Sequence, residues 1–186
     1  MLSWLTDWSG ERAKAKELYG AVVTQARQPL FFAGLGVPDT TEGRYEMVVL
    51  HLFLLLERLR AEGEPAKGLS RRLIETFVTD MDDSMREMGV GDLSVPKHVK
   101  RAAAGLYERA GEYREALAGA EPGLVEAALM ARLVDAGKSR LEGERPPAAD
   151  LIAEYMRSAS AELARQPFEA IKSGQVAFPP VLYVEM

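Results

Sequence analysis

Residues 47–56 read Met-Val-Val-Leu-His-Leu-Phe-Leu-Leu-Leu, an apolar run interrupted only by His51 and bounded by Glu46 and Glu57. Val48, Leu52, Leu55, Leu56 and Leu59 recur at steps of three and four, which is the period of a helix, and Phe53 and Leu54 widen the apolar face. Little of such a helix is left for water, so other elements must enclose it. The run is far shorter than the roughly 20 residues needed to cross a bilayer. The pattern therefore predicts a helix over 42–62, capped by the Thr41 hydroxyl, at the centre of a helical bundle.

The rest of the chain supplies the enclosing elements. Ser9 is placed to cap a helix from about Gly10 to Gln28, with Leu18, Val22 and Ala26 on one stripe and Pro29 forbidding continuation. A loop over 29–40 contains Gly34, Gly36 and Pro38, and 63–68 is punctuated by glycine and proline. Leu73, Phe77, Met81 and Met85 repeat every four residues in a helix over 69–88. The next helix runs to about Ala118, with Gly105 and Gly111 marking a bend or a close crossing. Pro122 opens a fifth helix to about Asp135, 137–147 reads as a polar loop, and Pro147 or Asp150 starts a sixth to about Arg165. The tail carries Pro179, Pro180 and Val181-Leu182-Tyr183-Val184, an extended apolar strap rather than a helix. The expectation is one all-α domain over 1–186, with about six helices and irregular ends at 1–8 and 167–186.

Composition narrows the function. A net charge of -5 argues against a general nucleic-acid binder. The absence of cysteine removes thiol chemistry, disulfides and thiolate metal sites, and fits a reducing compartment such as the cytoplasm. The opening Met-Leu-Ser-Trp-Leu-Thr-Asp-Trp lacks the basic and long apolar regions of a secretory signal. Trp4 and Trp8 with Leu2 and Leu5 offer either a peripheral contact at the inner face of a membrane or, more simply, docking onto the bundle.

Charge is concentrated in one stretch, residues 77–101. Asp80, Asp83 and Glu87 share a helix face, beside an apolar strip of Met81, Met85 and Met88. At that spacing, core packing of the methionines is the stronger reading than an adaptable client surface. The helix should stop at Gly89, with Gly89 and Gly91 forming a hinge, Asp92 or Ser94 capping the next helix and Pro96 in its first turn. Lys97, His98, Lys100 and Arg101 then crowd a helix N-terminus, where the macrodipole prefers acids by roughly 0.3 to 1 kcal/mol per charge. Such a local conflict points to an acidic partner, against the simpler reading of a solvated face.

The same stretch carries a family resemblance. Met-Arg-Glu-Met-Gly-Val-Gly-Asp-Leu-Ser-Val-Pro-Lys-His-Val-Lys over 85–100, preceded by Asp80-Met81-Asp82-Asp83 and followed by Leu106-Tyr107-Glu108-Arg109, resembles the signature of the ubiquinol-cytochrome c chaperone family. His51-Leu52-Phe53 with Leu55, Leu56, Arg58 and Leu59 looks like that family's central helix. The likeness covers roughly residues 27–120. It implies an all-helical fold and a non-enzymatic role, assisting cytochrome b maturation during assembly of respiratory complex III by protein contact. It also implies cytochrome b or another complex III subunit as partner, with a small helical co-chaperone and the ribosome as further contacts in mitochondrial members.

Other chemistries fit the residues poorly. Asp80, Asp82, Asp83 and Glu87 suggest the magnesium-diphosphate site of a helical isoprenoid-type enzyme, but Arg86 stands where the last acid belongs. Neither His51 nor His98 has a glutamate three residues before it, as a di-iron bundle requires, and His51 reads as a neutral buried imidazole holding one or two hydrogen bonds. Nucleophile-elbow, phosphate-loop and dinucleotide glycine patterns are missing. No catalytic residue, metal ligand or cofactor is assigned. The partner-binding residues are Asp80, Asp83, Glu87, Lys97, Lys100 and Arg101, around the hinge at Gly89 and Gly91. A homo-oligomeric scaffold joined through the strap is the third alternative.

Overall fold

The computed structural model describes residues 3–136 and 148–181, with side chains from residue 10 onward. Six long helices, α1 (Ser3–Ala26), α3 (Thr41–Ala61), α4 (Lys67–Glu87), α5 (Val95–Ala118), α6 (Leu124–Ala136) and α7 (Ala149–Arg165), are joined by the short helices α2 (Pro29–Ala33) and α8 (Phe168–Lys172) and a 3-10 turn at Glu64–Ala66. The fold is all-α, with no strand among the described residues.

The centre is α3, which touches α1, α4, α5, α6 and α7. Every residue from Met47 to Leu55 is buried, so no face of that stretch is left to solvent. Phe31, Leu18, Leu73, Phe77, Leu106, Tyr113, Leu129, Ile152, Met156 and Leu163 close around it as one core. Burial of side chains of this size stabilises by about 1.5–3 kcal/mol each, which is why an intrinsically apolar helix is tolerated in water.

Several boundaries differ from the sequence expectation, each for a local reason. The first helix reaches back to Ser3 instead of starting at Gly10, because a serine and a glycine in a helical stretch weaken a helix without ending it. Trp4 and Trp8 lie among the side chains outside the described set. Pro29 ends α1 but also opens α2, its fixed φ suiting a first helical turn. Thr40, in an extended conformation, caps α3 in place of Thr41: its Oγ1 accepts from Gly43 N at 3.0 Å. At Gly105 the missing side chain leaves room for Tyr45 of α3, whose Oη would lie 2.6 Å from a Cβ there, whereas at Gly111 a Cβ would meet nothing within 4 Å.

The tail forms a helical turn, α8, before it extends. Gly174, at φ +97°, ends that turn, and Val176, Phe178 and Val181 then pack on the core. Gln166 holds the strap as a neighbouring strand would: its Oε1 accepts from Ala177 N at 3.0 Å and its Nε2 donates to Ala177 O at 2.6 Å. The expected loop over 137–147 and the end of the strap at Leu182-Tyr183-Val184 lie outside the described residues.

Candidate functional site

The α4–α5 corner closes as the glycines require. Gly89 sits at φ +79°, Gly89 N donates to Arg86 O at 2.9 Å and Val90 N donates to Met85 O at 3.0 Å, the paired bonds of a Schellman ending. Ser94 occupies the N-cap of α5 without a side-chain bond, and Pro96 stands in the first turn. Asp92 is not a cap; it pairs with Arg86 at 2.5 Å, and Arg86 also holds Asp82 at 2.7 Å.

The six charged residues singled out in the sequence lie on α4 and α5, the two helices joined by this corner, in unequal settings. Asp80 is turned inward and accepts the Tyr19 hydroxyl at 2.8 Å, joining α4 to α1. Burial, with the Asp80 carboxylate beside it, pushes the Tyr19 phenol well above its usual range. Asp83, Glu87, Lys97, Lys100 and Arg101 are exposed. Asp80 is thus tied to α1, while Asp83, Glu87 and the cations of α5 face solvent.

Beyond the corner, an open groove of about 300 Å³ lies between α3, α4 and α5. Phe53, Leu56, Leu59, Ile74, Leu106 and Ala110 give it an apolar floor, and Tyr107, 62 % exposed, stands at its edge. Arg60, Lys67 and Arg114 rim it with a single lining acid, Glu57. Glu57 is shared by Arg114, whose Nη2 reaches it at 2.5 Å, and Arg60 at 3.2 Å. Partial burial works against the charged form, but these arginines outweigh it and hold the carboxyl below its usual range. The sequence reading missed this groove. Its signal was the run Leu106, Tyr107 and Ala110, which makes α5 apolar over a wider arc than one neighbour needs.

The wall is rigid on its α3–α5 side. Arg109 reaches Glu46 with Nε at 2.6 Å and Nη2 at 2.5 Å, its guanidinium lies 5.4 Å from the Tyr45 ring centre, and Tyr45 Oη donates to Ala102 O at 2.8 Å.

His51, on the far side of α3, is fully buried. Its Nδ1 lies 2.7 Å from Met47 O, a carbonyl that can only accept, so Nδ1 carries the proton and Nε2 accepts from Tyr155 Oη at 2.8 Å. Tyr155 Oη in turn accepts from Gln25 Nε2 at 3.0 Å, and the same amide donates to Pro179 O at 3.0 Å. Burial lowers the imidazole pKa to about 4, partly opposed by the Met47 bond. This is the satisfied neutral histidine that the sequence suggested, and it ties α1, α3, α7 and the strap together.

The profile of the ubiquinol-cytochrome C chaperone family matches residues 33–178, from the end of α2 to the strap. The chain belongs to this family. Among solved structures, the chain is similar to the Cbp3 homolog from Brucella abortus, with a TM-score of 0.81 and 33% identity over 97% of this chain and 98% of that one. Among curated relatives it is 26% identical over 143 residues to ubiquinol-cytochrome c reductase complex assembly factor 1 of Mus musculus, spanning 77% of this chain and 46% of the mouse protein. The Xenopus laevis protein of the same description is 22% identical over 143 residues, 77% of this chain and 68% of its own length. The chain thus spans under half of the mouse relative. The family suggested by residues 85–100 and 51–59 is the one the profile assigns. No described helix is long and apolar enough to cross a membrane.

Proposed function

We propose that this chaperone binds an immature subunit of ubiquinol-cytochrome c reductase, cytochrome b, by non-covalent contact alone, and holds it until the subunit is assembled. Family membership supports the assembly role, and the observation that supports a direct client contact is the apolar groove between α3, α4 and α5, rimmed by Arg60, Lys67 and Arg114. An apolar client segment with an acidic flank matches both its floor and its rim. The corner residues Asp83, Glu87, Lys97, Lys100 and Arg101 form a second contact surface beside it, with Asp80 fixing α4 against α1. The work is done at the inner face of the membrane, where the client resides.

Crosslinking pull-down from gently solubilised cells tests this reading. Cytochrome b should be enriched by the parent chain and lost with Tyr107→Asp, which alters the exposed groove edge without touching the core. The same crosslinks would report a small helical co-chaperone or a ribosomal protein. Absence of every complex III subunit from the crosslinked set would overturn the reading.

A further inference from the structure

Leu93, at the tip of the α4–α5 corner, is 99% exposed, and Met88 at the start of the same turn is 51% exposed. They are two of the four exposed large apolar residues among the described residues, the others being Tyr107 and Val134. The tip is held in this posture. Ser94 N donates to Gly91 O at 2.7 Å, the Schellman bonds fix residues 89 and 90, and Arg86 clips Asp92, the residue next to Leu93, at 2.5 Å. A leucine on a loop pinned at both sides cannot fold back onto the core.

Three exposed cations follow it on the first two turns of α5: Lys97, Lys100 and Arg101. None makes an ion pair among the described residues, and α5 carries no acid before Glu108. Asp82 and Asp92 are already engaged by Arg86.

We propose that this corner docks on a membrane surface bearing anionic phospholipid, with Leu93 entering the acyl boundary and Lys97, Lys100 and Arg101 on the headgroups. An isolated apolar side chain on a convex tip, followed by unpaired cations, suits a fluid interface that closes around it. A lone apolar tip suits lipid better than it suits the client, whose apolar segment is met by the groove. Asp83 and Glu87 on α4 are repelled by the same surface and orient the corner with α5 toward the lipid. Headgroup phosphates also answer the conflict of cations at a helix N-terminus. The proposal rests on reading the corner as a contact surface, and not on the identity of the client.

The test is flotation of the purified full chain with vesicles of phosphatidylcholine alone or with about 30% phosphatidylglycerol, an anionic fraction that gives the field such cations respond to. The parent should bind the anionic vesicles and lose binding in about 0.5 M salt, where the screening length falls to a few ångström. Leu93→Asp and the pair Lys97→Glu with Arg101→Glu should each weaken binding by about tenfold or more. Leu93→Asp should keep its circular dichroism, and should still capture cytochrome b from detergent extracts if the client reading holds. Equal binding to both vesicle types, or undiminished binding by Leu93→Asp, would overturn the lipid assignment. Loss of protein capture by Leu93→Asp with vesicle binding intact would assign the tip to a protein instead.

Discussion

Arg109 of α5 grips Glu46 of α3 with two parallel hydrogen bonds, at 2.6 and 2.5 Å, where the two side chains are only 14% and 6% exposed. The fork geometry of the guanidinium meets both carboxylate oxygens, so neither charge is left without a partner in the low-dielectric interior. Removing one partner strands the other. Arg109→Met or Glu46→Leu should each cost about 3–5 kcal/mol, while the double substitution should cost less than the sum because the stranded charge is gone. Urea unfolding of the four proteins in a double-mutant cycle measures this coupling; additive losses would contradict it.

Two glycines of α5 should respond in opposite directions. Gly105→Ala places a methyl 2.6 Å from Tyr45 Oη and 3.0 Å from Arg109 Nη1, so both side chains must shift against their bonds to Ala102 O and Glu46, at about 1–3 kcal/mol. Gly111→Ala meets nothing within 4 Å and should stabilise by about 0.5–1 kcal/mol through helix propensity. Thermal unfolding of both variants separates the crossing from the simple helix effect.

Acid should destabilise the fold through His51. Its folded pKa of about 4 lies below the ordinary value of 6.5, so the folded state favours the neutral ring. The stabilisation is complete above pH 6.5, and is lost as pH falls from there toward 4, amounting to about 3 kcal/mol over that window. Below pH 4 the His51 contribution should level off. Replacing His51 with Gln should remove that slope from the pH dependence of urea unfolding, although the variant is less stable at neutral pH.

Lys97 stands three residues after Ser94, the N-cap of α5. Glutamate in that position complements the macrodipole of α5. Lys97→Glu should therefore raise stability by about 0.5–1 kcal/mol while weakening vesicle flotation. A melting curve and a flotation assay on the one variant check both signs; a variant destabilised and deficient together would mean that Lys97 is structural.

The central helix, the corner and the family were legible because each rests on local chemistry: the apolar period of α3, Gly89 for positive φ, Pro96 in a first turn, and the run over 85–100. His51 was legible too, since a lone histidine on an apolar face has few ways to be satisfied. What escaped depends on orientation or on distant pairing. Sequence spacing placed Asp80 with Asp83 and Glu87 on one face, yet Tyr19, 61 residues earlier, takes Asp80 for the fold. Asp92 resembled a cap until Arg86 claimed it. The groove needs three helices at once, and no single one of them announces it. Leu93 looked like an ordinary loop residue, because exposure is a property of the finished surface.

Gln25 donates to Tyr155 and to Pro179, 130 and 154 residues further along the chain. The hydrogen bonds of Gln25 therefore close only when α1, α7 and the strap are all in place. A chain cut between α8 and Pro179 would keep every long helix and still leave one hydrogen of the Gln25 amide without its acceptor, beside the buried pair of His51 and Tyr155.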